Sequence, residues 1–260
     1  MKRYHHTPRK RFGQHFLTNQ TIIARIVAAI APQVADHLVE IGLGQGVLTK
    51  AVLPLVKQMI AIELDRDLIE PLKMACVSMG QIEIYQADVL TFDFSTLANR
   101  VNKIRLIGNL PYNISTPLLF HLIQYKNLIK DMHFMLQKEV VDRLTANIGG
   151  SEYNRLSVMV QYHCQTESLF NVPPTAFYPP PKVDSAVVRL IPYVDAPYLA
   201  KDYERFSDIV RLAFSHRRKT IKNNFKGFFS EEELKACEID PRSRAQDLSV
   251  GDYVRLANAC

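Results

Sequence analysis

A short apolar run, Ile104 to Ile107, leads into Asn109-Leu110-Pro111-Tyr112. These residue types suit an unusual kind of chemistry, in which an amine that is not basic is held while a methyl group is moved onto it. The exocyclic amine of adenine or cytosine has its lone pair spread into the ring. Asn109 Oδ1 and the Leu110 backbone carbonyl can each accept one of its hydrogens and turn the lone pair outward. The ring of Tyr112 can stack on a base taken out of its helix. Pro111 sets φ and gives up a donor, which leaves carbonyls to face a ligand. An ordinary strand-end turn also uses Asn and Pro, so the tetrapeptide needs support from the rest of the chain.

That support begins at Glu40-Ile41-Gly42-Leu43-Gly44-Gln45-Gly46, where a first strand should turn into a helix. Glycines such as Gly42 and Gly44 allow a tight turn and close backbone approach to a ligand. Glu63 ends the next strand, where a carboxylate can accept ribose hydroxyls, a geometry that suits NAD and S-adenosylmethionine alike. Three features favour S-adenosylmethionine. The G-x-G-x-G spacing misplaces the third glycine of a dinucleotide loop. Glu40 would stabilise the positive amino acid portion of S-adenosylmethionine but would repel a pyrophosphate. Asp88, in Gln86-Ala87-Asp88-Val89, can accept from an adenine amine, although a turn or helix cap would use it equally well.

The elements that must position these residues alternate. His37–Ile41, Gln58–Glu63, Ile82–Tyr85 and Ile104–Ile107 read as strands, with Leu48–Val56 and Asp67–Met79 as helices between them, the first ending or kinking near Pro54. Thr18 or Asn19 is expected to cap a helix carrying Ile22, Ile23, Ile26, Val27 and Ile30, and Ser115 to cap another carrying Leu118, Leu119, Leu122 and Ile123. Later strands are expected at Asp131–Leu136, Glu167–Asn171 and Ser185–Ile191. Such alternation means an α/β fold, a parallel sheet with helices on both faces. Beyond Pro192 to Pro197 the pattern becomes helical, over Tyr203–Ser215, Arg217–Lys226, Glu231–Ala236 and Val250–Ala259. A boundary near residue 193 is therefore expected, with domains 1–193 and 194–260.

The chain has 260 residues, 47% of them apolar, enough for a sizeable core. No apolar run is long enough for a transmembrane helix, and the basic N-terminus has no apolar stretch of the secretory type. Four dispersed cysteines (Cys76, Cys164, Cys237, Cys260) favour reduced thiols in a cytoplasmic setting and argue against zinc. No cluster has metal-ligand spacing, so no metal is expected. His5 and His6 read as tail residues, and His121, His133 and His163 as core or rim. The net charge of +6 is uneven: residues 1–13 hold Lys2, Arg3, Arg9, Lys10 and Arg11 with no acid. Arg205, Arg211, Arg217, Arg218, Lys219, Lys222 and Lys226 face a single acid, Asp208, in their stretch. A solvated face explains one such cluster; two beside a candidate base-modifying site point to a polyanionic partner.

Arg11-Phe12-Gly13-Gln14-His15-Phe16-Leu17, the glycine loop, Glu63-Leu64-Asp65, Ala87-Asp88-Val89, Gly108 to Ser115, Phe177 to Ser185 and Arg217-Arg218-Lys219 together resemble one family, the ribosomal-RNA adenine dimethyltransferases that modify small-subunit RNA. The resemblance runs over nearly the whole chain. It implies a Rossmann-like class I methyltransferase sheet and a small all-helical C-terminal domain that binds RNA. It implies that His15, Leu17, Gly42, Glu63, Asp88 and Asn109 contact S-adenosylmethionine, with Gly44 in the same loop. It places Asn109 to Tyr112 around the target amine and Phe177 as the opposite wall of the base; from its own surroundings, Phe177 reads instead as a hydrophobe tucked into the core. The family often has Asn where this chain has His15. The implied reaction is dimethylation of two adjacent adenosines near the RNA 3′ end on a small-subunit particle; nothing in the sequence demands more than a monomer. Arg9, Lys10, Arg11, Arg217, Arg218, Lys219 and Lys222 are the expected RNA contacts. Competing functions are a large-subunit relative of the macrolide-resistance type, a ribosome assembly factor acting mainly by binding, and an NAD dehydrogenase, which would leave Asn109–Tyr112 unexplained.

Overall fold

The computed structural model describes residues 15–98 and 103–259. Two compact units emerge, one taking the chain up to Val141 together with Glu167–Pro192, the other Asp142–Thr166 together with the chain from Tyr193 onward. One edge thus falls at residue 193, while 142–166, which the expected division left with the sheet, groups with the helices.

The first unit holds β1 (Phe16–Leu17), α1 (Gln20–Ile30), β2 (Leu38–Ile41), α2 (Val47–Val56), β3 (Gln58–Glu63), α3 (Arg66–Cys76), β4 (Gln81–Gln86), β5 (Ile104–Asn109), α4 (Ser115–Ile123) and β6 (Ile129–Gln137). After α5 (Lys138–Leu144) and α6 (Arg155–Gln161) come β7 (Cys164–Val172), β8 (Phe177–Tyr178) and β9 (Ser185–Pro192). The strand order is β4-β3-β2-β5-β6-β9-β7. From β4 to β6 the pairs are parallel, but β9 runs antiparallel to β6, so the sheet is mixed rather than parallel. Strand alternation places Leu38, Ala61, Ile107 and Val187 in one buried cluster with Ile22, Ile26, Ile30, Val52 and Leu53 of α1 and α2. Val39, Ile41, Leu106 and Phe134 alternate with their neighbours and are buried as well, so both faces are covered.

Local chemistry sets the helix ends. Asn19 caps α1, its Oδ1 accepting from Ile22 N at 3.1 Å. Ser115 does not cap α4 as expected; it is the helix's first residue, and its hydroxyl donates to the Pro111 carbonyl at 3.1 Å. Pro54 lies within α2, which runs on to Val56 and closes at Lys57 with φ of 65°.

At the end of the sheet away from the glycine loop, Arg105 is buried and fully engaged. Its Nε donates to Asp131 at 2.9 Å, one terminal nitrogen to Asp36 at 2.5 Å and the other to the Ile30 carbonyl at 2.6 Å. Burial opposes ionisation of Asp36, but the Gln33 N–H and Arg105 outweigh it and hold the carboxyl below its usual range. The guanidinium thereby ties α1, β5 and β6 to the entry of β2.

In the second unit α7 (Tyr203–Ala213), α8 (Ile221–Asn224), α9 (Glu231–Ala236) and α10 (Val250–Asn258) join α6. Tyr162, which ends α6, places its ring 4.5 Å from that of Phe206, and Tyr153 stands 6.4 Å from Phe214; this aromatic packing explains why 142–166 belongs here. The expected helix Arg217–Lys226 shrinks to α8. Thr220 pairs with Arg244, and the N–H of Ile221 and of Lys222 reach the Ser243 and Pro241 carbonyls. Asn224 turns inward and donates to the Ala213 carbonyl at 2.7 Å. Among the described residues no helix is long and apolar enough to cross a membrane.

Candidate active site

A cavity of about 370 Å³ opens in the first unit where β2, β3, β4 and β5 end. It is lined by His15, Leu17, Gly42, Gly44, Glu63, Asp88, Asn109, Leu110 and Tyr112. The ends of these strands and the segment around β1 thus bring together every expected cofactor residue and all the expected catalytic residues except Phe177. This is the crevice at the carboxyl ends of strands where ligands of open α/β sheets bind.

The loop after β2 turns sharply, and Gly44, with φ of 53°, adopts a conformation few other residues tolerate. A β-carbon there would also stand 3.2 Å from the Phe16 ring. Gly108 is constrained by proximity alone: its β-carbon would fall 2.5 Å from the Ile41 carbonyl. Gly108→Ala is expected to pry β5 from β2 and cost about 1–3 kcal/mol, read as a lower urea midpoint at unchanged slope.

Three acids edge the cavity. Glu40 is 2% exposed and accepts the Thr49 hydroxyl at 2.7 Å, but among the described residues it has no cationic partner. Burial pushes its pKa up to about 8; the Thr49 bond opposes the shift and the charge of Glu63 adds to it. Glu63 accepts from the N–H of Asp65 at 2.8 Å and of Gly44 at 3.3 Å. Burial raises it too, with those N–H groups pulling the other way. Asp88 is exposed, and its Oδ1 accepts from Leu90 N at 2.9 Å, so it caps a turn while lining the cavity.

At the amine end, Asn109 Nδ2 donates to the His15 carbonyl at 3.1 Å, which leaves Oδ1 as the acceptor of that amide. The Leu110 N–H donates to the Met135 carbonyl at 3.2 Å, fixing the peptide between β5 and β6. The Tyr112 hydroxyl shares a 2.7 Å hydrogen bond with Ser185, and its ring lies 5.9 Å from that of His15 with 23° between the planes. Burial raises the Tyr112 hydroxyl, against the Ser185 bond.

Phe177 lies elsewhere than the family resemblance implied. It is 4% exposed, in the same apolar cluster as Leu17 and Val187, and does not line the cavity. β8 sets Phe177 opposite Leu17, which does line the cavity, so the Phe177 ring packs in the apolar cluster behind that wall. His133 and Ser185 were not foreseen at the site. His133 lines the cavity, 3% exposed, with neither ring nitrogen hydrogen-bonded and Nδ1 3.6 Å from Asp131. A histidine inside the apolar run of β6 was the available signal for it. Ser185, fully buried, was legible as the start of a strand and as the last residue of the Phe177 to Ser185 stretch, with no role of its own.

Of the expected RNA contacts, Arg9, Lys10 and Arg11 lie outside the described residues. Arg217, Arg218 and Lys219 are exposed in the turn before α8 of the second unit, while Lys222 is paired with Glu231. Among the described residues no group of His, Cys, Asp or Glu could hold a metal ion.

A glycine loop and acids at successive ends of a sheet with one antiparallel strand beside β6 define a Rossmann-like methyltransferase. Solved structures agree. A dimethyladenosine transferase from Plasmodium falciparum superposes with a TM-score of 0.79 at 30% identity, covering 93% of this chain and 96% of its own. The 23S rRNA methyltransferase ErmE gives 0.76 at 23% identity, over 94% and 98% of the two chains, which bears on the fold alone. The model of the ribosomal RNA adenine dimethylases matches residues 5–260, and the chain belongs to that family. It is 51% identical over 255 residues to the ribosomal RNA small subunit methyltransferase A of Pseudomonas aeruginosa, covering 98% of this chain and 95% of that protein. A protein of the same description from Hydrogenovibrio crunogenus is 51% identical over 256 residues, covering 97% and 96%.

Proposed function

We propose that this protein dimethylates the exocyclic amines of two adjacent adenosines near the 3′ end of small-subunit (16S) ribosomal RNA. The methyl donor is S-adenosylmethionine, the substrate a small-subunit particle and the setting ribosome biogenesis in the cytoplasm. The observation that carries this is the Asn109 amide, locked by Nδ2 so that its oxygen is the group left to meet an amine. Similarity to small-subunit methyltransferases supports the choice of RNA.

The residues present fit the donor. Glu40, buried without a cationic partner among the described residues, would hold the ammonium of the methionine portion. Glu63 would receive the ribose hydroxyls and Asp88 the adenine amine, with Gly42 and Gly44 allowing close backbone approach and His15 and Leu17 closing the site. S-adenosylmethionine, when bound, supplies a methyl already activated by the sulfonium charge.

The chain's work is then to orient the acceptor. Asn109 Oδ1 and the Leu110 carbonyl take the two amine hydrogens and aim the lone pair. Tyr112 offers a stacking face, worth ~1–3 kcal/mol per base in single-strand binders. Alignment of this kind supplies several kcal/mol of a barrier, up to roughly 7–11 in the best cases. No strong base is required, because the amine becomes acidic only once methylated. Phe177 does not line the cavity, so Tyr112 carries the stacking in the arrangement described.

The test is to incubate the protein with labelled S-adenosylmethionine and small subunits lacking the modification, then map the label by nuclease digestion and mass spectrometry. Dimethyladenosine at two adjacent positions is expected. Tight particle binding without transfer would indicate an assembly factor, and no transfer to small subunits but label on large-subunit RNA offered in a parallel reaction would indicate the macrolide-resistance type. Replacing Arg217, Arg218 and Lys219 together with alanine should weaken RNA binding across sequences. It should also make the slope of log affinity against log salt shallower by about 2, measured by filter binding.

A further inference from the structure

His15 touches the site in more ways than a cofactor contact requires. Its carbonyl accepts from Asn109 Nδ2 at 3.1 Å, its ring Nδ1 is 2.7 Å from the Pro179 carbonyl, and its ring stacks beside Tyr112. The segment that follows is sewn to the same stretch of chain. Phe16 and Leu17 pair with Tyr178 and Phe177, and both Thr18 N and Thr18 Oγ1 donate to the Ala176 carbonyl, at 2.8 and 3.1 Å. Residues 15–18 therefore form a strap anchored on 176–179, and the His15 carbonyl is the point where that strap meets the Asn109 side chain.

The chemistry of an amide makes that point consequential. Asn109 can present either its oxygen or its NH₂ to a ligand, and rotation by 180° about the last bond exchanges them at little steric cost. Only the oxygen can accept from an adenine amine; the NH₂ would face the amine hydrogens donor to donor. A carbonyl fixed beside Nδ2 biases the amide to the useful orientation. The Pro179 carbonyl can only accept, so His15 Nδ1 must carry the proton in that bond, and the ring thereby anchors the residue whose carbonyl does the biasing.

We infer that His15 is a positioning residue for methyl transfer: its carbonyl sets the orientation of the Asn109 amide, and its ring, held between Pro179 and Tyr112, keeps that carbonyl in place. This rests on the amine-binding reading of Asn109 given above. The anchor does not demand an imidazole. An Asn amide carries its N–H donor the same number of bonds from Cβ as His Nδ1 does, so the anchor to the Pro179 carbonyl can be kept without the ring.

The role acts through Asn109, and a double-mutant cycle isolates it. Single-turnover transfer to unmodified small subunits is measured at saturating S-adenosylmethionine for the full-length wild type, His15→Ala, Asn109→Ala and the double variant. His15→Ala should slow transfer about tenfold at saturation, and should slow an Asn109→Ala background less than about twofold. His15→Asn should restore the rate to within about threefold of wild type, which loss of a merely structural side chain would not predict. A lost cofactor contact alone would raise the cofactor KM and leave the saturated rate unchanged. Full multiplication of the two losses, or a wild-type saturated rate in His15→Ala, would overturn the inference. If Asn109→Ala itself transfers at the wild-type rate, it is the amine-binding reading that fails. Should His15→Ala not fold, judged by its thermal transition, His15→Phe keeps a ring beside Tyr112 while removing the Pro179 bond. A saturated rate equal to wild type in that variant would equally overturn the role of the anchor.

Discussion

Asn109→Ala lowers turnover by roughly 10²–10³ while affinity for S-adenosylmethionine stays within about tenfold. The split follows from where the side chain is held. Its Nδ2 is tied to the His15 carbonyl, and its oxygen is the group available to an incoming amine. The cofactor would keep the glycine loop, Glu40, Glu63 and Asp88, so its binding changes little. The acceptor amine loses one of the two carbonyl-type oxygens that aim its lone pair, and that cost appears in the transition state. Equilibrium dialysis for the cofactor and single-turnover transfer to unmodified particles separate the two effects. Near-normal transfer would remove Asn109 from the mechanism.

Glu40→Gln should move two properties in opposite directions. Before the donor binds, Glu40 is protonated up to about pH 8, whereas in the unfolded chain its pKa is near the ordinary 4.5. Between those values the native state holds a proton that the unfolded state does not, so stability falls as pH rises through that window. The associated cost is on the order of 3 kcal/mol near neutral pH. Glutamine can still accept the Thr49 hydroxyl but cannot ionise, so the variant should lose most of that downward slope. Burying its NH₂ offsets part of the gain, leaving the variant about 1–2 kcal/mol more stable than wild type at pH 8 and no more stable at pH 5. Binding responds the other way. A cationic amine beside Glu40 draws it into the charged form, so wild-type affinity for S-adenosylmethionine should rise with pH towards 8. The glutamine variant should bind at least about tenfold more weakly. Urea unfolding and calorimetric titration at the two pH values decide it. Unchanged affinity in the variant would mean that the ammonium is held elsewhere.

Much of this was legible because local signals and the fold agree. β3 and α9 fall where expected, and Glu40, Glu63, Asp88 and Asn109 reach one edge because parallel strands with helical crossovers all point their ends the same way. The failures are instructive. In α6 the run Leu156-Ser157-Val158-Met159-Val160 is nearly all buried, so it shows no period to distinguish helix from strand, although Asn154 and Ser157 form a capping box that marks its start. The Arg217–Lys226 stretch has helical composition, but pairing with 241–244 claims its backbone, a long-range effect that no local window registers. Phe177 shows the limit of carrying a role over by position. Its place in the chain matches the family, but its ring is packed in the apolar core beside Leu17, in keeping with what its surroundings in sequence suggested. The His15–Asn109 bond was hidden for a simpler reason: it uses a backbone carbonyl, whose direction side-chain identity does not encode.

The strap has a consequence for how the protein is made. The contacts that complete the amine site join His15 to residues 94 and 164 positions later in the chain. During synthesis the first strap residues emerge early and must wait while β2 to β5 and their helices form, since distant pairings close late and slowly. A nascent chain ending just after α4 would hold the glycine loop and the acids, but neither the Pro179 anchor nor β9. The glycine loop and the acids can therefore take shape before the strap closes the donor pocket and completes the seat for the acceptor, so competence to act on ribosomal RNA would come only after most of the chain has left the ribosome that is making it.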